Sequence, residues 1–181
     1  MIRVLGGTIR GKKLFGPKGL QFRPATGQVK NFIFSYLGEK VEQAHLLDLF
    51  AGTGSIGIEA LSRGAMQVVF IERAISSLRL LKRNLETCDF AKKAVPLYGD
   101  VFLLLPVLSR KFGNFDIVIA DPPFSQTWRE PIVKMIDDNA LLQPGGCLII
   151  EHDIRDPDLK DHHMTMLKQK RFGHCVVSIY A

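Results

Sequence analysis

The 181-residue sequence is poor in cysteine and tryptophan, with three and one, and has no apolar run approaching the roughly 18 residues that a membrane-spanning helix needs. Cys88, Cys147 and Cys175 are odd in number, far apart and never in a Cys-x-x-Cys pair, so neither a disulfide framework nor a zinc site is indicated. They read as buried reduced thiols. The five histidines lack ligand spacing, the His162-His163 pair reads as solvated loop, and no metal is expected. Met1 to Gly7 lacks the apolar core of a secretory signal, because Arg3 and Gly6-Gly7 interrupt it. The expectation is a cytoplasmic protein that meets no membrane.

Acid is missing from one place in particular. Residues 1–40 hold Arg3, Arg10, Lys12, Lys13, Lys18, Arg23, Lys30 and Lys40 against Glu39 alone, so the net charge of +6 is concentrated there and the remainder is near neutral. Such local basicity suits a phosphate-binding arm on a neutral body, or a solvated face. Arg3-Val4-Leu5 and Thr8-Ile9-Arg10 flank Gly6-Gly7, a two-residue turn signal that predicts a β-hairpin. A lone hairpin is unstable and must lean on the body or a partner. From Thr26, a plausible N-cap, Val29, Phe32, Ile33, Tyr36 and Leu37 form a helical stripe with Lys30 and Phe34 off it; Phe34 reads as packed against a neighbouring element.

With 46% hydrophobic and 23% charged residues the chain is an ordinary globular protein, able to bury about 70% of its unfolded surface without staples. Its organisation reads as a basic extension over residues 1–40 and a main domain over 41–181. From Leu46, short apolar runs alternate with amphipathic stretches: 46–50, 68–71, 95–98, 116–120 and 148–150, with helices between them. This rhythm predicts an α/β, doubly wound, mostly parallel sheet, closed by an antiparallel C-terminal hairpin from 164–170 and 175–180 around Gly173.

The first of these strands runs into Gly52-Thr53-Gly54-Ser55-Ile56-Gly57, a glycine loop between strand and helix, and Glu72 ends the second strand twenty residues after Gly52. A carboxylate there can accept hydrogen bonds from both ribose hydroxyls, which points to a nucleoside ligand. Asp48 argues against a dinucleotide, since a carboxylate beside a pyrophosphate is repulsive. A cationic ligand such as S-adenosylmethionine fits better. The fourth strand ends in Asp121-Pro122-Pro123-Phe124. The prolines remove two donors and stiffen the backbone, which leaves an acceptor-only wall for an exocyclic amine, and Phe124 offers a stacking face for its base.

Asp48 to Gly57, Glu72, Gly99-Asp100 and Asp121 to Phe124 resemble the ordered motifs of class I S-adenosylmethionine-dependent methyltransferases that act on exocyclic amines. More narrowly, Arg3 to Gly7, Arg10 to Leu14, Arg23 to Thr26 and Leu49 to Ala65 are similar to the bacterial 16S ribosomal RNA guanine-N2 methyltransferases, over essentially the whole chain. The resemblance implies a seven-stranded sheet and a 16S RNA or small-subunit partner for a monomeric enzyme. It implies that Asp48, Phe50, Ala51, Gly52, Thr53 and Gly54 surround the methionine part, Glu72 holds the ribose, and Asp100 with Val101 contacts the adenine, with Arg73 also on the cofactor. Asp121 to Phe124 would clasp the guanine, and Arg3, Arg10, Lys12, Lys13, Arg23 and Lys30 the RNA. The chain departs at Gly27, Gln28, Lys30 and Asn31, where the family usually carries more charge. Four alternatives stand beside this reading: methylation of DNA adenine, methylation of protein glutamine, a nicotinamide-dependent oxidoreductase, and a non-catalytic RNA-binding module.

Overall fold

The computed structural model describes residues 2–17, 27–123, 127–157, 159 and 163–181. Two short strands, β1 (Ile2–Arg3) and β2 (Lys13–Leu14), form an N-terminal hairpin, followed by helix α1 (Gly27–Leu37). Strands β3 (His45–Leu49), β4 (Gln67–Glu72), β5 (Ala94–Tyr98), β6 (Phe115–Ala120) and β7 (Leu142–Asp153) then alternate with helices α2 (Ser55–Ser62), α3 (Ile75–Thr87), α4 (Val101–Phe112) and α5 (Arg129–Asp138). Strands β8 (Met166–Phe172) and β9 (Cys175–Tyr180) complete a seven-stranded sheet in the order β5-β4-β3-β6-β7-β9-β8, parallel except for β9. This is the doubly wound, mostly parallel sheet with a C-terminal hairpin that the alternating runs predict, and its seven strands are the number that the resemblance implies. Among the described residues no helix is long and apolar enough to cross a membrane.

The strands read as unbroken apolar runs because both of their faces are buried. Leu46, Val68, Phe70, Ile117, Ile119, Ile149, Val177 and Ile179 pack under α1, α2 and α3. Their neighbours Leu47, Val69, Ile71, Val118, Leu148 and Ile150 pack under α4 and α5. The chain reverses its winding direction at β3, which pairs with β4 on one side and β6 on the other. That switch point opens a crevice beyond the carboxyl ends of the strands.

The N-terminal hairpin differs from its expected form. It pairs Ile2 with Leu14 and Arg3 with Lys13, and Gly6-Gly7 is not its two-residue turn. These glycines lie against the end of α2: Thr8 N donates to Ser62 O at 2.7 Å, and Ser62 Oγ to Gly6 O at 2.6 Å. A Cβ on Gly7, whose φ is +76°, would stand 1.8 Å from Ser62 O, so close approach selects glycine here. Ile2, Val4 and Leu14 enter the same core as α1 and α2. The hairpin thus leans on the body. Phe34, as expected, is buried, with the Arg63 guanidinium 4.9 Å from its ring centroid. Cys88 and Cys147 are buried free thiols, whereas Cys175 is only half-buried.

Candidate active site

The crevice is a cavity of about 640 Å³, a volume suited to a small-molecule ligand. Its lining follows the strand order of the sheet. Glu72, Arg73 and Ser77 come from the end of β4 and the start of α3, and Gly99, Asp100 and Val101 follow β5. Asp48 and the loop after β3 line the middle; Asp121, Pro122 and Pro123 follow β6, Glu151 stands on β7, and Phe172 to Cys175 form the β8–β9 turn. Of the cofactor residues anticipated from sequence, all reach this wall except Gly54, which caps α2. Phe124, the expected stacking face, lies outside the described residues, as do Lys18, Arg23 and Thr26.

The glycine loop is held by its own carboxylates. Glu72 Oε2 accepts from Gly52 N at 2.7 Å and Oε1 from Ala74 N at 2.6 Å, which fixes the side chain while each oxygen keeps a second lone pair. Asp48 Oδ2 accepts from Gly57 N at 3.0 Å. A Cβ on Gly57 would lie 2.2 Å from the Phe70 ring, so helix α2 packs on the sheet only because that residue is glycine. Phe50 adopts a left-handed φ of +59°, a costly conformation for a non-glycine residue and one that sequence reasoning does not foresee. Asp100 caps α4 by accepting from Phe102 N at 2.9 Å.

The cavity gathers acidic side chains whose ionised forms burial disfavours. Asp48 is pushed up to about 8 by burial, which the Gly57 N–H offsets and the charges of Asp121 and Glu72 reinforce. Asp121 is also held well above the ordinary carboxylate range by burial, and Glu151 by burial and then by the charge of Asp121. Glu151 Oε1 and Thr53 Oγ1 are buried without a hydrogen-bond partner among the described residues. Such a site disfavours a pyrophosphate, and it fits a cationic nucleoside ligand that brings its own donors. The residues therefore fit S-adenosylmethionine.

Glu151 is the acidic cavity residue that sequence reasoning misses, as it also misses Ser77 and the β8–β9 turn. The signal was available, because Glu151 follows the apolar stretch 148–150 just as Glu72 and Asp121 end theirs.

The basic residues divide. Arg3, Arg10, Lys12 and Lys13 are exposed, and none lines the cavity. The tip of the arm meets Ser62, at the end of α2 opposite to Ser55 on the cavity wall, about 10 Å away along the helix. Lys30 is a correction: it is 3% exposed, and its ammonium donates to Arg3 O at 2.8 Å, Ser55 Oγ at 3.2 Å and Glu59 Oε2 at 3.3 Å. Its donors are used inside the protein, so it is not available to RNA.

A different basic edge leads to the cavity. Strand β8 exposes Lys168, Lys170 and Arg171 before reaching Phe172 on the cavity wall. Lys170 Nζ lies 5.2 Å from the Phe32 ring centroid and 5.4 Å from that of Phe172, and Lys168 Nζ 5.6 Å from that of Tyr36.

The family model described as "Conserved hypothetical protein 95" matches residues 2–181. The chain belongs to this family. It is 31% identical over 179 residues to the Haemophilus influenzae protein named "Ribosomal RNA small subunit methyltransferase D", covering 99% of this chain and 93% of the relative. The solved structure of the Escherichia coli protein yhhF matches with a TM-score of 0.86 at 30% identity, over 99% of this chain and 96% of that one. An RNA methyltransferase from Salinibacter ruber, solved in complex with S-adenosyl-L-homocysteine, shares the fold with a TM-score of 0.66 at 18% identity, over 87% and 92% of the two chains.

Proposed function

We propose that the chain transfers a methyl group from S-adenosylmethionine to the exocyclic N2 amine of a guanine in 16S ribosomal RNA of the small subunit. One observation carries this reading: the Asp121-Pro122-Pro123 wall opens into the same cavity as the glycine loop and Glu72, so an amine acceptor adjoins a nucleoside site. The name of the Haemophilus relative supports the RNA substrate.

Glu72 is fixed to accept from a ribose, Asp100 and Val101 border the adenine end, and Asp48 favours a cationic amino-acid end. Bound there, S-adenosylmethionine supplies an electrophilic methyl on a sulfonium, which leaves as a neutral thioether. Asp121 and the Pro122 carbonyl accept N–H bonds from the target amine, whose lone pair is otherwise delocalised into the ring. These acceptors hold the nitrogen in position and stabilise the positive charge that grows on it as the new bond forms. Water or a cavity carboxylate takes the proton that the methylated nitrogen releases. The β8 edge offers the RNA backbone a charged path to this point.

The test is Asp121→Ala against wild type, with small subunits from cells lacking the gene. We expect N2-methylguanosine in the wild-type RNA digest, no turnover in the variant, and S-adenosylhomocysteine affinity within about threefold of wild type. N6-methyladenosine, labelled protein, or an equal loss of affinity and turnover in the variant would overturn the reading.

A further inference from the structure

We infer that Glu151 reads the target base, accepting the N1–H of guanine while Asp121 accepts from the neighbouring N2 amine. This rests on the proposed function and deepens it by naming what selects guanine over other bases that carry an amine.

Asp121 and Glu151 each stand one residue beyond the paired rung Ala120 and Ile150 of the parallel strands β6 and β7. Neighbouring strands run about 5 Å apart. Alternation along each strand carries both side chains to the face on which Ile119 and Ile149 pack, the face of α1 and α2. Both residues line the cavity. Glu151 is 4% exposed; its Oε2 accepts from Cys175 Sγ at 3.4 Å, and its Oε1 has no partner among the described residues. A buried carboxylate oxygen without a donor is costly, and a ligand donor reaching Oε1 removes that cost.

Two adjacent acceptors call for two adjacent donors. Guanine offers them, because its N2 amine sits beside N1–H on the Watson–Crick edge. Adenine does not, since its N6 amine sits beside N1 as a bare lone pair. A glutamine amide also pairs its amine with an acceptor, the carbonyl oxygen. The ligand-free cavity favours the protonated form of Glu151, and an N1–H donor favours the ionised form. Ionised against guanine, the second carboxylate has its donor; against either rival it faces a lone pair, the kind of discrimination that leaves polar groups unpaired around the wrong substrate.

The experiment compares wild type and Glu151→Gln on a small-subunit RNA fragment spanning the labelled guanine, synthesised with guanine or with 2-aminopurine at that position. 2-Aminopurine keeps the N2 amine but has a bare N1. Wild type is expected to prefer guanine by about 100-fold or more in kcat/KM. Glu151→Gln, whose amide can donate to a bare N1, is expected to lose roughly tenfold on guanine and to gain on 2-aminopurine, bringing the two within about tenfold. Glu151→Asp keeps the charge and is expected to keep the preference at a lower rate. S-adenosylhomocysteine affinity should stay within about threefold throughout. An unchanged preference in Glu151→Gln, whatever its rate, overturns the inference while leaving the proposed function standing. A matching loss of S-adenosylhomocysteine affinity overturns it too, assigning Glu151 to the cofactor. Wild type that labels neither base removes the proposed function and this inference together.

Discussion

Glu59 is fully buried in α2 and accepts four donors: Leu5 N and Gly6 N at 2.7 Å each, Arg63 Nε at 2.9 Å and Lys30 Nζ at 3.3 Å. One carboxylate thus ties the N-terminal arm, α1 and α2 together. Burial lowers the Lys30 pKa and Glu59 opposes that shift, so the charge on Lys30 depends on this partner. Removing one member of a buried ion pair typically costs about 3–5 kcal/mol, because the other is left uncompensated. Glu59→Ala is therefore expected to destabilise the protein by at least about 3 kcal/mol in urea unfolding. Lys30→Met should cost less, since Arg63 and two backbone N–H groups still satisfy the carboxylate. The reverse order, or a cost below about 1 kcal/mol for Glu59→Ala, would refute the tie. Neither role was legible from composition. Lys30 lies off the apolar stripe of its helix, where a lysine normally means solvent, and its partner is far along the chain. The available clue was Glu59 itself, the one charged residue in α2, a helix buried on every side.

At the level of elements, the parallel strands are legible because each is apolar on both faces, and the glycine loop because strand, glycines and helix occur in the order that the turn requires. The arm is harder to read. Gly6-Gly7 satisfies both a hairpin turn and a close backbone approach, and only the Ser62 contact distinguishes them. Strand β8 hides its role for the opposite reason: Met166 to Arg171 are exposed at a sheet edge, and nothing in their order indicates that Phe32 and Tyr36 of α1 lie beside them. The two basic surfaces can be separated by salt. If β8 guides the RNA, Lys168→Ala, Lys170→Ala and Arg171→Ala combined should weaken binding of the small-subunit fragment and reduce the slope of log affinity against log salt by about 2, at about 0.7 per phosphate contact. Arg10→Ala with Lys12→Ala, at the far end of α2, should change the slope by less than about 1. The opposite ranking would return RNA docking to the tip of the arm.

Taken as a whole, the molecule carries net positive charge yet gathers Asp48, Glu72, Asp100, Asp121 and Glu151 around one buried cavity. Opposing acids in a ligand-free site affect stability. Burial pushes Asp48 up to about 8 in the folded state against about 3.9 in the unfolded chain, so between those values the folded state binds the extra proton and stability falls as pH rises. Asp121 and Glu151 shift in the same direction. His152 works the other way: burial lowers it to about 4, so the unfolded chain binds more protons up to about pH 6.5 and stability rises with pH over that range. Above pH 6.5 the His152 effect fades while the carboxylates go on titrating. The ligand-free protein is expected to lose roughly 2 kcal/mol through Asp48 alone between pH 6.5 and 8, on the order of 5 °C in Tm. Asp48→Asn should lessen that decline by the Asp48 share, leaving the part due to Asp121 and Glu151, because its side-chain carbonyl can still accept from Gly57 N without titrating. A ligand with a cationic amino group favours ionised Asp48, so the Tm gain from saturating S-adenosylhomocysteine should grow across the same interval in wild type and grow less in Asp48→Asn. Melting curves at half-unit pH steps, with and without ligand, decide the matter: parallel wild-type and Asp48→Asn profiles would mean that the cavity carboxylate is not what couples protonation to folding and ligand binding.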